Sequence, residues 1–342
     1  MALRKISIKE VARLAGVSKT TVSHALSGKR YVSEATKEKI DQVIGQLQYY
    51  PNYLARSLVS KKTGIIGLIY PTPLNDSSHR ENVEFIFSIA NKVSSSGYKF
   101  LLMTENYEQE NEQVLEIIRS GHVDGLILMD IRLNDERVEL LSREKFPFVM
   151  IGRNENPADL NYVDIDAVNG VHQAAEYLIS LGHKDILFLG IAPENFGFTN
   201  RGITGYKLAL KEAGIELNKE LLQFTPSDEA EACLIMRNLL KERKFTACIA
   251  GGDMIALGIL KALKMESIQV PEEISVVSFG NSQICTMTNP LITAVSMQYK
   301  QMSDLAVEML VKSLNEEAIG NNHIVLKSEL IIRESAGTVF PG

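Results

Sequence analysis

From residue 63 onward, apolar residues fall in short continuous runs: TGIIGLIY, YKFLLMTE, VDGLILMD and PFVMIGR, then DILFLG, LLQFTP, TACIAG and ISVVSFG. Between these runs lie segments with apolar positions at helical spacing, near 81–96, 108–120 and 134–144, then near 167–181, 200–213, 228–242 and 253–265. Continuous apolar strands alternating with helices predict parallel sheets covered on both faces. Two successive series predict two Rossmann-like lobes. Ligands of such folds bind beyond the carboxyl ends of the strands, which here means the cleft between the lobes. A last helix, 298–314, carries a stripe of Leu305, Met309 and Leu310 that reads as core or dimer surface.

The first 62 residues follow a different pattern. SIKEVARLAG places Ile8, Val11 and Leu14 on one helical face, with Ser7 as cap, Glu10 completing a capping box and Gly16 as terminator. Ser18 then caps a second helix with Val22 and Leu26 inward and Lys19, Thr20, Ser23 and His24 outward. A third helix from Ser33 contributes Ile40, Val43, Ile44 and Leu47 to a three-helix core. Two short helices joined by a tight glycine turn form a helix-turn-helix, whose outer face suits a DNA major groove. A plain helical bundle with a solvated face fits the same pattern. After Pro51, residues 52–60 are too few for a helix stable alone, so this segment is expected to fold on meeting DNA or a second copy.

Charge favours the DNA reading. The chain of 342 residues has a net charge of −6, but residues 1–62 hold twelve Lys and Arg against four Asp and Glu. A head of +8 on a body of −14 marks a separate nucleic-acid module. Cys233, Cys248 and Cys285 have no metal-ligand spacing, so neither a metal site nor a disulfide framework is expected. The start MALRKISIKE has no secretory apolar core and no run approaches a membrane span, so a cytoplasmic protein is expected. Gly251-Gly252 resembles a phosphate cradle only superficially, because no GxGxxG or GxxxxGK[ST] is present. Without a catalytic motif, no enzyme and no cofactor are expected. His122 and His183, each after a glycine and before a strand, read as structural turns.

SIKEVARLAGVSKTTVSHALSGKRYVSEATKEKI followed by YPNYLARSL resembles the head of the lactose-repressor (LacI/GalR) family of bacterial transcription regulators. The likeness continues through HVDGLIL, YLISLGHKDILFLG, RGITGYKLALKEAGI, GGDMIALGILKAL, VPEEISVVSFGN, NPLITAVSMQ and ELIIRES. The resemblance implies an all-α helix-turn-helix head and a periplasmic-binding-protein-like α/β body of two Rossmann-like lobes. Its divisions fall at 1–50 for the head, 51–62 for the hinge helix and linker, 63–163 with 296–322 for the N-terminal lobe, and 164–295 with 323–342 for the C-terminal lobe. The chain would cross between the lobes near 163, 296 and 322.

By the same resemblance, Ser18, Lys19, Thr20, Thr21 and His24 match recognition-helix positions, and Thr36 and Asn52 match contacts to the DNA backbone. Ala55, Arg56 and Leu58 match the hinge helix, with Leu58 as a minor-groove wedge. His24 stands where most relatives carry Arg, exchanging a bidentate fork for a ring with one donor when neutral and two when charged. Arg201 matches an arginine that holds ligand hydroxyls or a carboxylate, although a surface role is the simpler reading of the residue alone. Asp253 matches a cleft position and equally reads as a helix cap. Arg153, Phe279, Asn281 and, on the loop YPTPLNDSSHREN, Asn75 and His79 complete the effector candidates. Gly252 and Gly280 replace the Asn and Asp of many relatives.

The expected protein is a repressor binding near-palindromic double-stranded operator DNA as a homodimer, its affinity changed by a small molecule, a sugar or sugar derivative, between the lobes. A transport solute-binding protein and an enzyme on a Rossmann scaffold are the alternatives. The basic head counts against the first, and the lack of a catalytic constellation against the second.

Overall fold

The structure is a computed structural model that describes residues 6–27, 30–47, 62–71, 83–105, 110–318 and 322–339. It divides into two compact units, a head reaching Gly64 and a body beginning at Ile65.

In the head, α1 (Ile8–Ala15) and α2 (Lys19–Ser27) are followed by α3 (Glu34–Leu47), and α1 lies against both of the others. Val11, Ala12, Val22 and Ile40 form the buried centre. Leu14, expected inside, is exposed. Its place is taken by Ala15, because Ile8, Val11, Ala12 and Ala15 share one stripe and Leu14 lies more than a quarter-turn away. The expected capping box is also corrected: the Ser7 side chain makes no capping bond, and its carbonyl accepts from the amides of Glu10 and Val11 at 2.9 and 3.3 Å. Gly16 ends α1 in the left-handed region at φ 67°.

Among the described residues the body contains two six-stranded sheets. The first runs β11 (His323–Leu326), β5 (Tyr162–Ile165), β4 (Phe148–Ile151), β3 (Gly125–Leu128), β1 (Ile65–Pro71), β2 (Lys99–Glu105), all parallel. The second runs β12 (Glu329–Ile331), β10 (Thr293–Ser296), β9 (Ser275–Gly280), β8 (Ala247–Ala250), β6 (Ile186–Ile191), β7 (Leu222–Thr225), parallel except for β12. The shared order reverses direction at β1/β3 in one sheet and at β6/β8 in the other, and the loops after those strands are where such folds hold ligands.

Helices α4 (Val83–Ser95), α5 (Glu110–Ser120) and α6 (Glu136–Arg143) belong to the first lobe. The second has α7 (Ala167–Ser180), α8 (Gly197–Glu212), α9 (Glu229–Glu242) and α10 (Asp253–Met265). The last helix, α11 (Tyr299–Leu314), returns to lie on β3, β4 and β5, burying Met309 and Leu310 as core. The chain changes sheets after Ile165, after Ser296 and after Leu326. The third crossing comes later than 322, because the apolar run His323–Leu326 first pairs with Tyr162–Ile165 as an outer strand.

His183 is buried between the strands and the chain end. Nδ1 meets the Thr246 hydroxyl at 2.9 Å, and Nε2 meets the Ser275 hydroxyl at 3.1 Å and the Gly337 carbonyl at 3.0 Å. Burial holds its pKa below the ordinary 6.5, against the pull of the Gly337 carbonyl. The folded state therefore resists protonation more than the unfolded chain does. The stability due to neutral His183 is complete above about pH 6.5 and is lost as pH falls from there toward the folded pKa. Denaturant midpoints measured on either side of that value should drop on acidification, and His183→Gln should show a shallower drop.

Candidate functional site

In the head, Lys19 and Thr20 are exposed on the first turn of α2, and Ser23 and His24 are half-buried on the next. The Ser18 hydroxyl accepts from the Thr21 amide at 3.0 Å and pairs with the Thr21 hydroxyl at 2.8 Å. These two residues fix the start of the helix and leave the exposed Lys19 and Thr20 outside that cap. Thr36, in the first turn of α3, pairs with the Ser33 hydroxyl at 2.8 Å. Asn52, Ala55, Arg56 and Leu58 of the expected hinge, with Asn75 and His79 of the loop after β1, lie outside the described residues.

In the body, the carboxyl ends of the strands bring three charged groups together. Arg153 follows β4, Asp164 sits on β5, and Arg201 is one turn into α8 of the other lobe. Asp164 Oδ2 lies 3.1 Å from Arg153 Nε and 3.1 Å from Arg201 Nη2. Its Oδ1 accepts from the Ile165 amide at 2.9 Å. Both terminal nitrogens of Arg201 also donate to the Arg153 carbonyl, at 3.3 Å. The Asp164 side chain is 2% exposed, against 13% for Arg201 and 26% for Arg153. Burial raises the Asp164 pKa, with the two guanidiniums opposing it; burial likewise lowers that of Arg201, with Asp164 opposing. The Nε of Arg201 is buried with no acceptor among the described residues. Gly197 makes the approach possible, since a Cβ there would stand 2.6 Å from the Arg153 carbonyl oxygen and 3.0 Å from Arg201 Nη2.

Beside this cluster the loops after β3 and β6 join. Arg132 and Phe196 form an antiparallel bridge; the Gly197 amide donates to Ile131 and the Leu133 amide to Asn195, both at 2.9 Å. The β3 loop is held from below by a fully buried pair. Arg137 contacts Asp135 at 2.7 Å and donates to the Met129 and Asp130 carbonyls at 3.1 Å.

The other candidates are placed differently. Asp253 is fully buried and accepts from the Ser278 hydroxyl at 2.5 Å, the Ser282 amide at 2.6 Å, the Asn281 amide at 3.2 Å and the Cys285 thiol at 3.2 Å. Its carboxylate ties the end of β9 to α10, filling the space beside Gly280, and leaves no surface for an effector. It does not cap its own helix either: Gly252 occupies that position. Phe279 is 3% exposed, its ring 5.5 Å from that of Phe198, and is likewise core. Asn281, at φ 66°, does reach an opening. Gly280 and Asn281 of one lobe, Ser296 and Gln298 at the crossing, and Glu84, Tyr299 and Lys300 of the other lobe line a cavity of about 470 Å³.

The sequence singles out neither Asp164 of the charged cluster nor Gln298, Tyr299 and Arg333 at or beside the cavity. Asp164 left a readable signal, a lone acid in the apolar strand YVDI. Arg333 donates to the Asn281 Oδ1 at 2.6 Å and to the Ile292 carbonyl at 2.6 Å, so Asn281 must turn its amide nitrogen elsewhere. Among the described residues no group of three or more His, Cys, Asp or Glu side chains could hold a metal ion. No helix there is long and apolar enough to cross a membrane.

A helix-turn-helix head and a body of two parallel-sheet lobes define a DNA-binding regulator with a ligand-type body. Residues 7–52 match the profile of the bacterial regulatory proteins of the lacI family, and residues 175–336 match that of the periplasmic binding protein-like domain. Over 331 residues the chain is 33% identical to the transcriptional regulator RegA of Clostridium saccharobutylicum, covering 96% of this chain and 98% of that one. It is 29% identical to catabolite control protein A of Priestia megaterium, covering 96% and 99%. Among solved structures, a CelR–cellobiose complex matches at 27% identity and TM-score 0.73, covering 96% and 99%. The lac repressor dimer bound to operator and the anti-inducer ONPF matches in fold at TM-score 0.83 and 21% identity, covering 98% and 100%. The chain belongs to the lacI family of bacterial regulatory proteins. It is a DNA-binding transcriptional regulator and not an enzyme.

Proposed function

We propose that this regulator is a repressor whose operator affinity is set by a small molecule, a sugar or sugar derivative, held between the two lobes. The observation that carries the proposal is the ion pair of Arg201 with Asp164, one residue from each lobe, at the carboxyl ends of the strands. A ligand that takes hydrogen bonds from Arg201 and Arg153 touches both lobes at once, beside this pair. Its binding is thereby coupled to the relative position of the lobes, and through differential affinity to the DNA-binding state. The cellobiose bound by the CelR neighbour supports a carbohydrate ligand, as do the polar walls of the cavity at Asn281, Ser296 and Gln298.

On DNA, Ser18, Lys19, Thr20, Thr21 and His24 read the major groove, and Thr36 and Asn52 hold the phosphates. Ala55, Arg56 and Leu58 enter the minor groove. The working form is a cytoplasmic homodimer on a near-palindromic site. Exposed Val83 and Phe87 on α4, with Leu101 and Leu102 on the outer strand β2, supply apolar surface for the partner copy.

The test is a fluorescence-anisotropy titration of operator DNA with and without candidate sugars. One sugar should change the affinity by roughly 5–150-fold, the usual span of allosteric coupling, and the direction of the change separates inducer from corepressor. Arg201→Ala should keep operator binding and lose the response. A response that survives Arg201→Ala removes Arg201 from the effector site.

A further inference from the structure

We propose that Asp164 sets the charge class of the effector, reserving the arginine pair for uncharged, oxygen-rich ligands and excluding carboxylates and phosphates. This deepens the preceding reading and rests on it. Two guanidiniums converging in a cleft would by themselves form an anion site, since their forks match carboxylate and phosphate oxygens. Here the anion is already built into the chain. Asp164 Oδ2 stands 3.1 Å from both Arg153 Nε and Arg201 Nη2, and its side chain is almost wholly buried.

An incoming anion must draw Arg201 away from Asp164 and leave a buried carboxylate with one partner fewer, a costly exchange in low dielectric. If it binds without displacing the pair, it meets Asp164 as a like charge. A neutral ligand faces neither cost. What the cluster still offers is donors, on the partly exposed guanidinium of Arg153 and the small exposed part of Arg201. Hydroxyl and ring oxygens accept from such donors with the ion pair intact. Asp164 is therefore a positioning residue, acting on ligand choice through the arginines it neutralises.

The experiment is calorimetric titration of the full chain with inorganic phosphate, in the wild type, D164N and D164N/R201Q, with thermal unfolding of each. Wild type should bind no phosphate in the millimolar range. D164N should gain affinity by at least roughly tenfold, because the repelling charge is gone while both guanidiniums remain. The double variant should lose that gain. Acquired binding is not something a loosened or misfolded chain would show. Wild type binding phosphate as tightly as D164N overturns the proposal, and so does a cooperatively folded D164N that gains nothing. If D164N does not fold, the wild type decides: phosphate binding removed by R201Q overturns the proposal, and no binding sustains it. No operator DNA enters the titration, so a missing effector response in anisotropy would count against the proposed function and leave this result standing.

Discussion

Asp135→Ala should cost the body about 3–5 kcal/mol, the range for breaking a buried ion pair by removing one partner. Asp135 is 1% exposed and Arg137 is fully buried, so neither charge can turn to solvent. The carboxylate has four tasks. It accepts from the Arg137 amide at 3.1 Å as the cap of α6, from Arg137 Nε at 3.0 Å and Nη2 at 2.7 Å, and from the Arg132 amide at 3.1 Å. Burial alone would raise its pKa, but the hydrogen bond and charge of Arg137, helped by Arg132, bring it below the ordinary carboxylate value. Truncation strands a guanidinium in the lobe and removes the cap, itself worth about 0.5–2 kcal/mol. Asp135→Asn keeps a side-chain oxygen for the helix amide and should fall between wild type and Ala. Replacing both partners with apolar residues should not restore wild-type stability, because Arg137 also satisfies the Met129 and Asp130 carbonyls. Urea unfolding of the three variants gives the order. An Asp135→Ala midpoint equal to wild type would mean the pair is not buried as described. The same loss should loosen the Arg132–Phe196 bridge, since the pair holds the loop that carries it.

The central strands of both lobes were legible because a parallel strand covered on both faces must be apolar at every position, and FVMI or ACIA contains nothing else. The strands at the lobe crossings were not. YVDI, HIVL and ELI are short, polar-interrupted or half-exposed, and their place depends on which neighbour they meet after a long excursion of the chain. The site followed the same division. Arg201 can be singled out in the sequence because its motif is local. Asp164 was missed because its partners, Arg153 and Arg201, come from other elements and its role exists only once they converge. Asp253 shows the converse: an acid after a strand end looks the same in sequence whether it faces a cleft or folds back onto the next loop, and here it folds back. In the head, Leu14 was misassigned because apolar character was read without the angular position that favours Ala15.

Gly205→Val should be the second large loss, and it should reach the effector response as well as stability. Helices α7 and α8 cross with their backbones in near contact at this residue. A Cβ on Gly205 would stand 2.1 Å from the Val168 carbonyl oxygen, 3.0 Å from the Val168 carbonyl carbon and 3.1 Å from the His172 amide nitrogen. All three are backbone atoms of α7, so no rotamer change relieves the clash and the helices must separate. Ordinary overpacking costs about 1–3 kcal/mol. Displacing two long helices from a shared core that includes Val171, Ala175, Ile203 and Tyr206 belongs with the exceptional changes of about 4 kcal/mol or more. Gly205→Ala should already show much of the loss, because the first carbon makes the contact. The functional consequence follows from the helix itself. Arg201 is one turn before Gly205 on α8, and α7 follows directly on the crossing from the strand that holds Asp164. Separation of the helices therefore draws Arg201 away from Asp164. A Gly205→Ala chain that remains folded at low temperature should bind operator through its intact head and respond weakly to the effector. Denaturant unfolding paired with the operator titration checks both halves. A variant with wild-type stability would show that the helices do not approach as closely as described, and a destabilised variant with an undiminished response would show that the Arg201–Asp164 geometry does not govern the coupling.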